Sequence, residues 1–366
     1  MSSGVRVAYL CEHPTLLGGE RSLLAFLDEA RSTVRATFVA PETGRLADRL
    51  LQHGIDHLPT RDLRHSSHEQ NRIADELAQR KIQIIHGNSL SMREPTLQLA
   101  DRLGVPSVLH VRDIYQLSAR QQRSLRSFSA IVAVSPAVES FLHGQGVSPS
   151  KIHVIVNGIA SPEEVDSAPL MDWPTDAPLI ACIGQWSLRK GQDLFAKAAR
   201  QVFEKGVMAR FLLVGERYSL KEESIAFEES IREMTMPLHA AGVWYETGYR
   251  DDARQLLPRF DLVVVPSRQE PLSRVLLESL QAGTPVLATR VGGNPYILAE
   301  GDVGLLVEAN PSAIADGIEE VLSARDVARR RAEQGRLRVA REFSLPRHAE
   351  RILDLYLTLL SAHEGG

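Results

Sequence analysis

Two carboxylates and a lysine hold most of the chemistry in this sequence. Seven residues separate Glu270 from Glu278, in a stretch that opens after the apolar run 261–266 and closes at Gly283 before a second apolar run. The pattern predicts a strand, a loop carrying Glu270, and a helix carrying Glu278 about two turns inside it. Ligands of open parallel sheets bind beyond the carboxyl ends of the strands, often against a helix start. The spacing therefore suits a polyhydroxylated molecule whose phosphates rest on that helix. The loop at 184–191 follows another strand and ends in Lys190-Gly191, ahead of a helix expected from Gln192. A lysine placed there can neutralise a diphosphate as a point charge.

Three further clusters stand at the ends of expected strands. Gly18-Gly19 opens a helix after the first strand, where glycines let backbone approach an anion closely. His110, with Arg112 two residues on, closes a strand, and Asn157-Gly158 closes another. On the residues alone, each also reads as plain architecture: a turn, a core histidine and an Asn-Gly turn.

The elements that must position these groups alternate along the chain. Apolar strands are expected at 5–11, 36–40, 82–86, 107–111, 130–134 and 153–156, with helices starting near 19, 45, 68, 93, 119 and 136. A second series follows at 179–183, 210–214, 243–247, 262–265, 285–288 and 304–307. Alternation of this kind makes parallel sheets with crossover helices. Residues 161–178 are rich in proline and acids without periodicity, and read as a linker. Near the end, Ile352, Leu353, Leu355, Tyr356 and Leu359 share one helical face, and no strand follows, so this helix must dock on a domain already built. The expected division is 1–160 plus 344–362 for the first domain and 179–343 for the second.

At 366 residues the chain suits two domains, and 43% hydrophobic with 24% charged residues describes an ordinary globular protein. A net charge of −4 disfavours nucleic acid as a partner. No apolar run reaches the ~20 residues of a membrane span, and the reading is cytoplasmic, with peripheral contact to the inner membrane face left open. Cys11 and Cys182 fit buried reduced thiols. A dinucleotide fingerprint, a Walker A loop, a nucleophile elbow, an Asp-x-Asp pair and any metal-spaced His/Cys set are all missing. A mechanism without metal or redox cofactor fits best.

Taken together, these residues resemble family 4 retaining glycosyltransferases of the GT-B fold. The likeness rests on the Gly18-Gly19 loop, His110, the segment Val134-Ser135-Pro136-Ala137, Asn157-Gly158, Lys190-Gly191, the Glu270/Glu278 block and Gly292-Gly293. It implies two Rossmann-like α/β domains facing a central cleft, with the C-terminal helix crossing back to the N-terminal domain. It also implies transfer of a hexose from a UDP- or GDP-sugar to a sugar, lipid-linked or small-molecule hydroxyl acceptor, in polysaccharide, glycolipid or small-glycoside synthesis. By the same resemblance Glu278 binds ribose hydroxyls, Glu270 the donor sugar and Lys190 the diphosphate. Gly18, Gly19, Gln185, Arg189, Leu272, Ser273 and Arg274 complete the donor site, and His110 lies beside the reacting sugar.

This sequence departs from the family pattern at three places. Gln185 stands where the family often has arginine, with Arg189 or Arg274 as the expected substitute charge. Ser273 replaces a glycine at the phosphate loop, and Tyr296 replaces an acid after Gly292-Gly293. Arg64, Arg112 and Asn157 are the expected acceptor contacts, and Arg61 and Arg64 sit in a basic loop that could meet an anionic membrane surface. Two other readings stay open: a non-catalytic sugar-nucleotide-binding protein and a GT-B-fold nucleotide-sugar epimerase.

Overall fold

Apolar runs and amphipathic helices alternate in the structure much as they do in the sequence. The computed structural model describes residues 4–161, 176–217 and 219–365, so most of the proposed linker lies outside the described residues. The chain separates into two compact units. One runs to Ala160 and takes in the chain again from Phe343; the other runs from Ser161 to Glu342.

In the first unit seven strands form one parallel sheet. They are β1 Val5–Leu10, β2 Val34–Pro41, β3 Asp56–Thr60, β4 Ile84–Gly87, β5 Ser107–Val111, β6 Ala130–Ala133 and β7 Ile152–Val154. Their order is β3-β2-β1-β4-β5-β6-β7, which reverses direction between β1 and β4. Strand β3 was not expected from the sequence. It reads Asp-His-Leu-Pro-Thr, with only Leu58 and Thr60 buried, and its proline is tolerated because the strand lies at the sheet edge.

The second sheet contains β8 Leu179–Ile183, β9 Arg210–Val214, β10 Trp244–Gly248, β11 Leu262–Val265, β12 Val286–Thr289 and β13 Leu305–Val307. Its order is β10-β9-β8-β11-β12-β13, all parallel, reversing between β8 and β11.

Alternation along β1 divides the core of the first unit. Val7, Tyr9 and Cys11 pack on one face with Phe26, Leu27, Ile352, Leu355 and Tyr356. Ala8 and Leu10 face the other way, toward Val39, Ile85 and Leu99. The C-terminal helix Leu345–Glu364 thus finds its partner in this unit, burying Ile352, Leu355 and Tyr356. Gly158 admits the start of that helix: a Cβ there would lie 2.7 Å from Leu345 Cα. Cys11 and Cys182 are free and buried. Burial pushes the Cys182 thiol up to about 12. Among the described residues no helix is long and apolar enough to cross a membrane.

Candidate functional site

In the second unit the loops after β8 and β11 leave the sheet at its point of reversal, where open α/β sheets take ligands. Lys190 comes from the first loop and Glu270 from the second, and Lys190 Nζ donates to Glu270 Oε2 at 2.5 Å. Ser267 Oγ donates to the same oxygen at 3.2 Å. Beside them lies a cavity of about 10 Å³ lined by Cys182, Lys190, Gln192, Pro266, Ser267 and Ser273.

Two glycines hold this arrangement. Gly191 has φ +73° and a Cβ there would stand 2.0 Å from the Pro266 carbonyl oxygen. Gly292, at φ +54°, would bring a Cβ within 2.0 Å of the Glu270 carbonyl oxygen, to which Gly293 N–H donates at 2.8 Å. The pair Gly292-Gly293 therefore shapes the Glu270 loop from behind.

Arg268 ties the two loops together, a contact that no sequence motif singled out. Its Nη1 and Nη2 each reach one Asp193 oxygen at 2.7 Å, and Nη1 also donates to Leu188 O at 2.9 Å. The Arg268 and Gln269 N–H groups donate to Arg189 O. Opposite charge at i and i−75 could not be paired from sequence without the loop geometry.

The helix behind Glu270 spans Arg274–Gln281. Glu278 is its fifth residue, so it lies about one turn in, not two; the helix starts later than the sequence pattern implied because Ser273 caps it. Ser273 Oγ accepts from Leu276 N–H at 3.2 Å, which gives this departure a structural role of its own. Arg274 Nη2 donates to Glu278 Oε1 at 2.9 Å, one turn along the same helix face. Leu272 is buried. Gln185 and Arg189 have exposed side chains, and the Gln185 carbonyl accepts from Gln192 Nε2 at 2.9 Å. Tyr296 lies under Arg338, whose guanidinium carbon is 5.8 Å from the ring centroid.

In the first unit a second set gathers at the carboxyl ends of β1, β4, β5 and β7. Arg112 Nη1 donates to Asn157 Oδ1 at 2.6 Å and Nη2 to Asn88 Oδ1 at 3.3 Å. Arg112 Nη2 also lies 3.1 Å from His110 Nδ1. A Cβ on Gly19 would come within 3.3 Å of Arg112 Cδ. Gly19, His110, Arg112 and Asn157, all singled out in the sequence, are thus brought together. Arg64 is not among them: it pairs with Glu12 beyond the end of β1, and Arg61 pairs with Glu42.

Behind His110 lies a buried polar group not legible in the sequence. His86 Nδ1 is 2.5 Å from Tyr356 Oη, which is 3.1 Å from Tyr9 Oη, and His348 Nδ1 donates to Val156 O at 2.7 Å. Among the described residues the Nε2 atoms of His86 and His110 have no hydrogen-bond partner. Burial, then Arg112, then His348 pull His86 down to about 3. Burial, Arg112, His86 and His348 hold His110 well below the usual histidine range. Burial lowers His348 to about 4 against its bond to the Val156 carbonyl.

A roomier cavity of about 310 Å³ sits at the strand-entry end of the second unit, lined by Arg259, Asp261, Thr284, Arg325 and Arg329. Arg259 and Asp261 precede β11 and Thr284 precedes β12, so the cavity lies at the opposite end of this sheet from Lys190 and Glu270. Among the described residues no group of three or more His, Cys, Asp or Glu is placed to hold a metal ion.

Two doubly wound parallel units, each gathering polar loops at its strand ends, define a two-domain α/β protein. Residues 17–161 match the family model described as Glycosyltransferase Family 4, and residues 177–324 match Glycosyl transferases group 1. The chain is 30% identical over 240 residues to the lipopolysaccharide core biosynthesis glycosyltransferase LpsE of Rhizobium meliloti, an alignment covering 65% of each protein. The structure of Anabaena Alr3699/HepE in complex with UDP superposes with a TM-score of 0.83 at 19% identity, covering 97% of this chain and 100% of that one. A glycosyltransferase from Rickettsia africae gives 0.86 at 19% identity, covering 98% and 99%. The chain belongs to the family 4 glycosyltransferases and has the GT-B fold.

Proposed function

We propose that this protein is a retaining hexosyltransferase that uses a nucleotide-diphosphate sugar and a hydroxyl acceptor. The observation that carries the reading is the Lys190–Glu270 pair at the point of reversal in the second sheet, close to the capped start of helix Arg274–Gln281. A diphosphate entering there gains the Lys190 ammonium and the N–H groups at the helix start, and a sugar gains the Glu270 carboxylate as acceptor for its hydroxyls. Glu278, a turn further along, is suited to ribose hydroxyls. The leaving group is anionic, so most of the catalytic effect comes from groups that stabilise charge on the departing diphosphate. These groups are cationic side chains and backbone N–H donors, and we read the transfer as independent of a metal ion.

In this reading the bond from sugar C1 to the diphosphate oxygen breaks and the acceptor oxygen bonds C1 on the same face. The acceptor proton passes to the departing phosphate oxygen, so no protein nucleophile is required. His110 and Asn157 would serve the sugar and its acceptor. HepE has been crystallised with UDP-glucose, which supports a uridine donor here. The likeness to LpsE, named for lipopolysaccharide core biosynthesis, supports a saccharide or lipid-linked saccharide acceptor.

The test is nuclear magnetic resonance of the protein incubated with UDP- and GDP-hexoses and a panel of saccharide acceptors. UDP release with an α-linked product from an α-linked donor is expected. Binding without turnover, epimerised donor or an inverted product would each overturn the proposal.

A further inference from the structure

Arg112 carries a guanidinium that only donates hydrogen bonds and stays protonated at every accessible pH. Its Nη2 stands 3.1 Å from His110 Nδ1, so that ring nitrogen must present a lone pair. A neutral imidazole whose Nδ1 accepts carries its proton on Nε2. We propose that Arg112 is a positioning residue that holds His110 as a neutral Nε2–H donor. The strand-end histidine then gives a hydrogen bond to whatever it meets and does not act as a base.

Arg112 is itself held from three sides. Asn157 Oδ1 accepts from Nη1 and Asn88 Oδ1 from Nη2, while Gly19 leaves room for the side-chain methylenes. Asn88 and Asn157 lie after β4 and β7, so two strand ends fix one guanidinium. The groups around the His110 ring favour the uncharged form. His86 on β4 has its ring centroid 5.6 Å away, and His348 on the C-terminal helix 6.5 Å away. Tyr9 on β1 and Tyr356 on the C-terminal helix stand behind His86. Glu20, on the helix Gly18–Glu29, bears on Cys11, and Arg351 on His348. An imidazolium at His110 would point an Nδ1–H at a guanidinium, donor against donor.

The deciding measurement is long-range ¹H–¹⁵N correlation of the histidine rings in the full chain between pH 5 and 8, with His110→Gln used to assign the signal. The wild-type protein is expected to show His110 as the Nε2–H tautomer, unchanged across that range. Arg112→Met should give mixed tautomers, and Arg112→Lys should restore the Nε2–H form at least in part. An Nδ1–H tautomer in the wild type, a wild-type His110 that titrates near pH 6.5, or an Arg112→Met spectrum identical to wild type would overturn the proposal. If Arg112→Met does not fold, the wild-type tautomer and the Arg112→Lys spectrum still decide. A kinetic arm rests on the transfer reading above. There Arg112→Met should lower kcat by about 10-fold and leave the donor KM within about 2-fold, as expected for one misdirected hydrogen bond. Absence of any transfer by the wild type would sink the transfer reading and leave the ring spectra to judge Arg112.

Discussion

Lys190 Nζ and Glu270 Oε2 meet at 2.5 Å, with side-chain exposures of 24% and 4%. Removing one member of a pair so poorly solvated leaves the other uncompensated, which is worse than losing both. A donor that enters must therefore give each a new partner, and the pair keeps both groups oriented until it does. Glu270→Gln preserves shape but leaves the Lys190 ammonium without its counter-charge, so it should reduce transfer by about 100-fold or more and lower the melting temperature. Lys190→Ala strands a buried carboxylate, so it should weaken UDP binding and lower the melting temperature as well. Steady-state kinetics and calorimetry with UDP check both. Near-normal turnover in either variant would remove the assignment.

Gly292 makes a sharper structural claim. Its φ is +54°, and a Cβ at this position would stand 2.0 Å from the Glu270 carbonyl oxygen, which leaves no room for alanine. Gly292→Ala should displace the Glu270 loop at a cost on the order of 1–3 kcal/mol, reducing transfer even though no charged group is touched. Gly206 has a similar φ of +77° with nothing near its Cβ, so Gly206→Ala is the control for strain alone. Equal activity in the two variants would show that the contact with Glu270 does not matter.

Much of the fold was legible because apolar runs bounded by turn residues mark buried parallel strands almost regardless of context. β8, β9 and β11 fall at the expected limits. Strand β3 escaped because an edge strand needs little apolar content, and Asp56, His57 and Pro59 hide it. The Lys190 and Glu270 loops and the helix carrying Glu278 were visible through their glycines and spacing. The Arg268–Asp193 link and the group of Tyr9, His86, His348 and Tyr356 were not. Each joins residues far apart in sequence whose types are ordinary taken singly, so only the folded backbone shows that they meet.

The Arg268–Asp193 link has its own consequence. Both guanidinium nitrogens engage the carboxylate, and Asp193 is buried at the start of helix Gln192–Glu204. Asp193→Asn removes the charge and one of two matched acceptors, and should destabilise the protein by about 1–3 kcal/mol. The Lys190 loop should loosen with it, so the donor KM should rise more than kcat falls. Scanning calorimetry and donor titrations test this; an unchanged KM with a lowered melting temperature would confine the link to stability.

The buried histidines set how the fold responds to acid. His86 and His348 are neutral in the fold, lowered to about 3 and about 4, chiefly by burial. The same side chains in the unfolded chain titrate near ~6.5. Below that value the unfolded state binds more protons than the native state, so stability falls as pH falls. The loss begins near pH 6.5 and continues until about pH 4 for His348 and about pH 3 for His86, at roughly 1 kcal/mol per pH unit for each. Melting temperature followed from pH 8 to pH 5 should therefore drop below pH 6.5. His348→Gln should start lower, since it loses the bond to Val156 O, and should show a shallower slope. Because His348 holds the C-terminal helix to the end of the first sheet, hydrogen exchange should report that helix opening first as pH falls. A wild-type melting temperature that is flat from pH 8 to pH 5 would mean these imidazoles reach water, and the burial account of the cluster would fail.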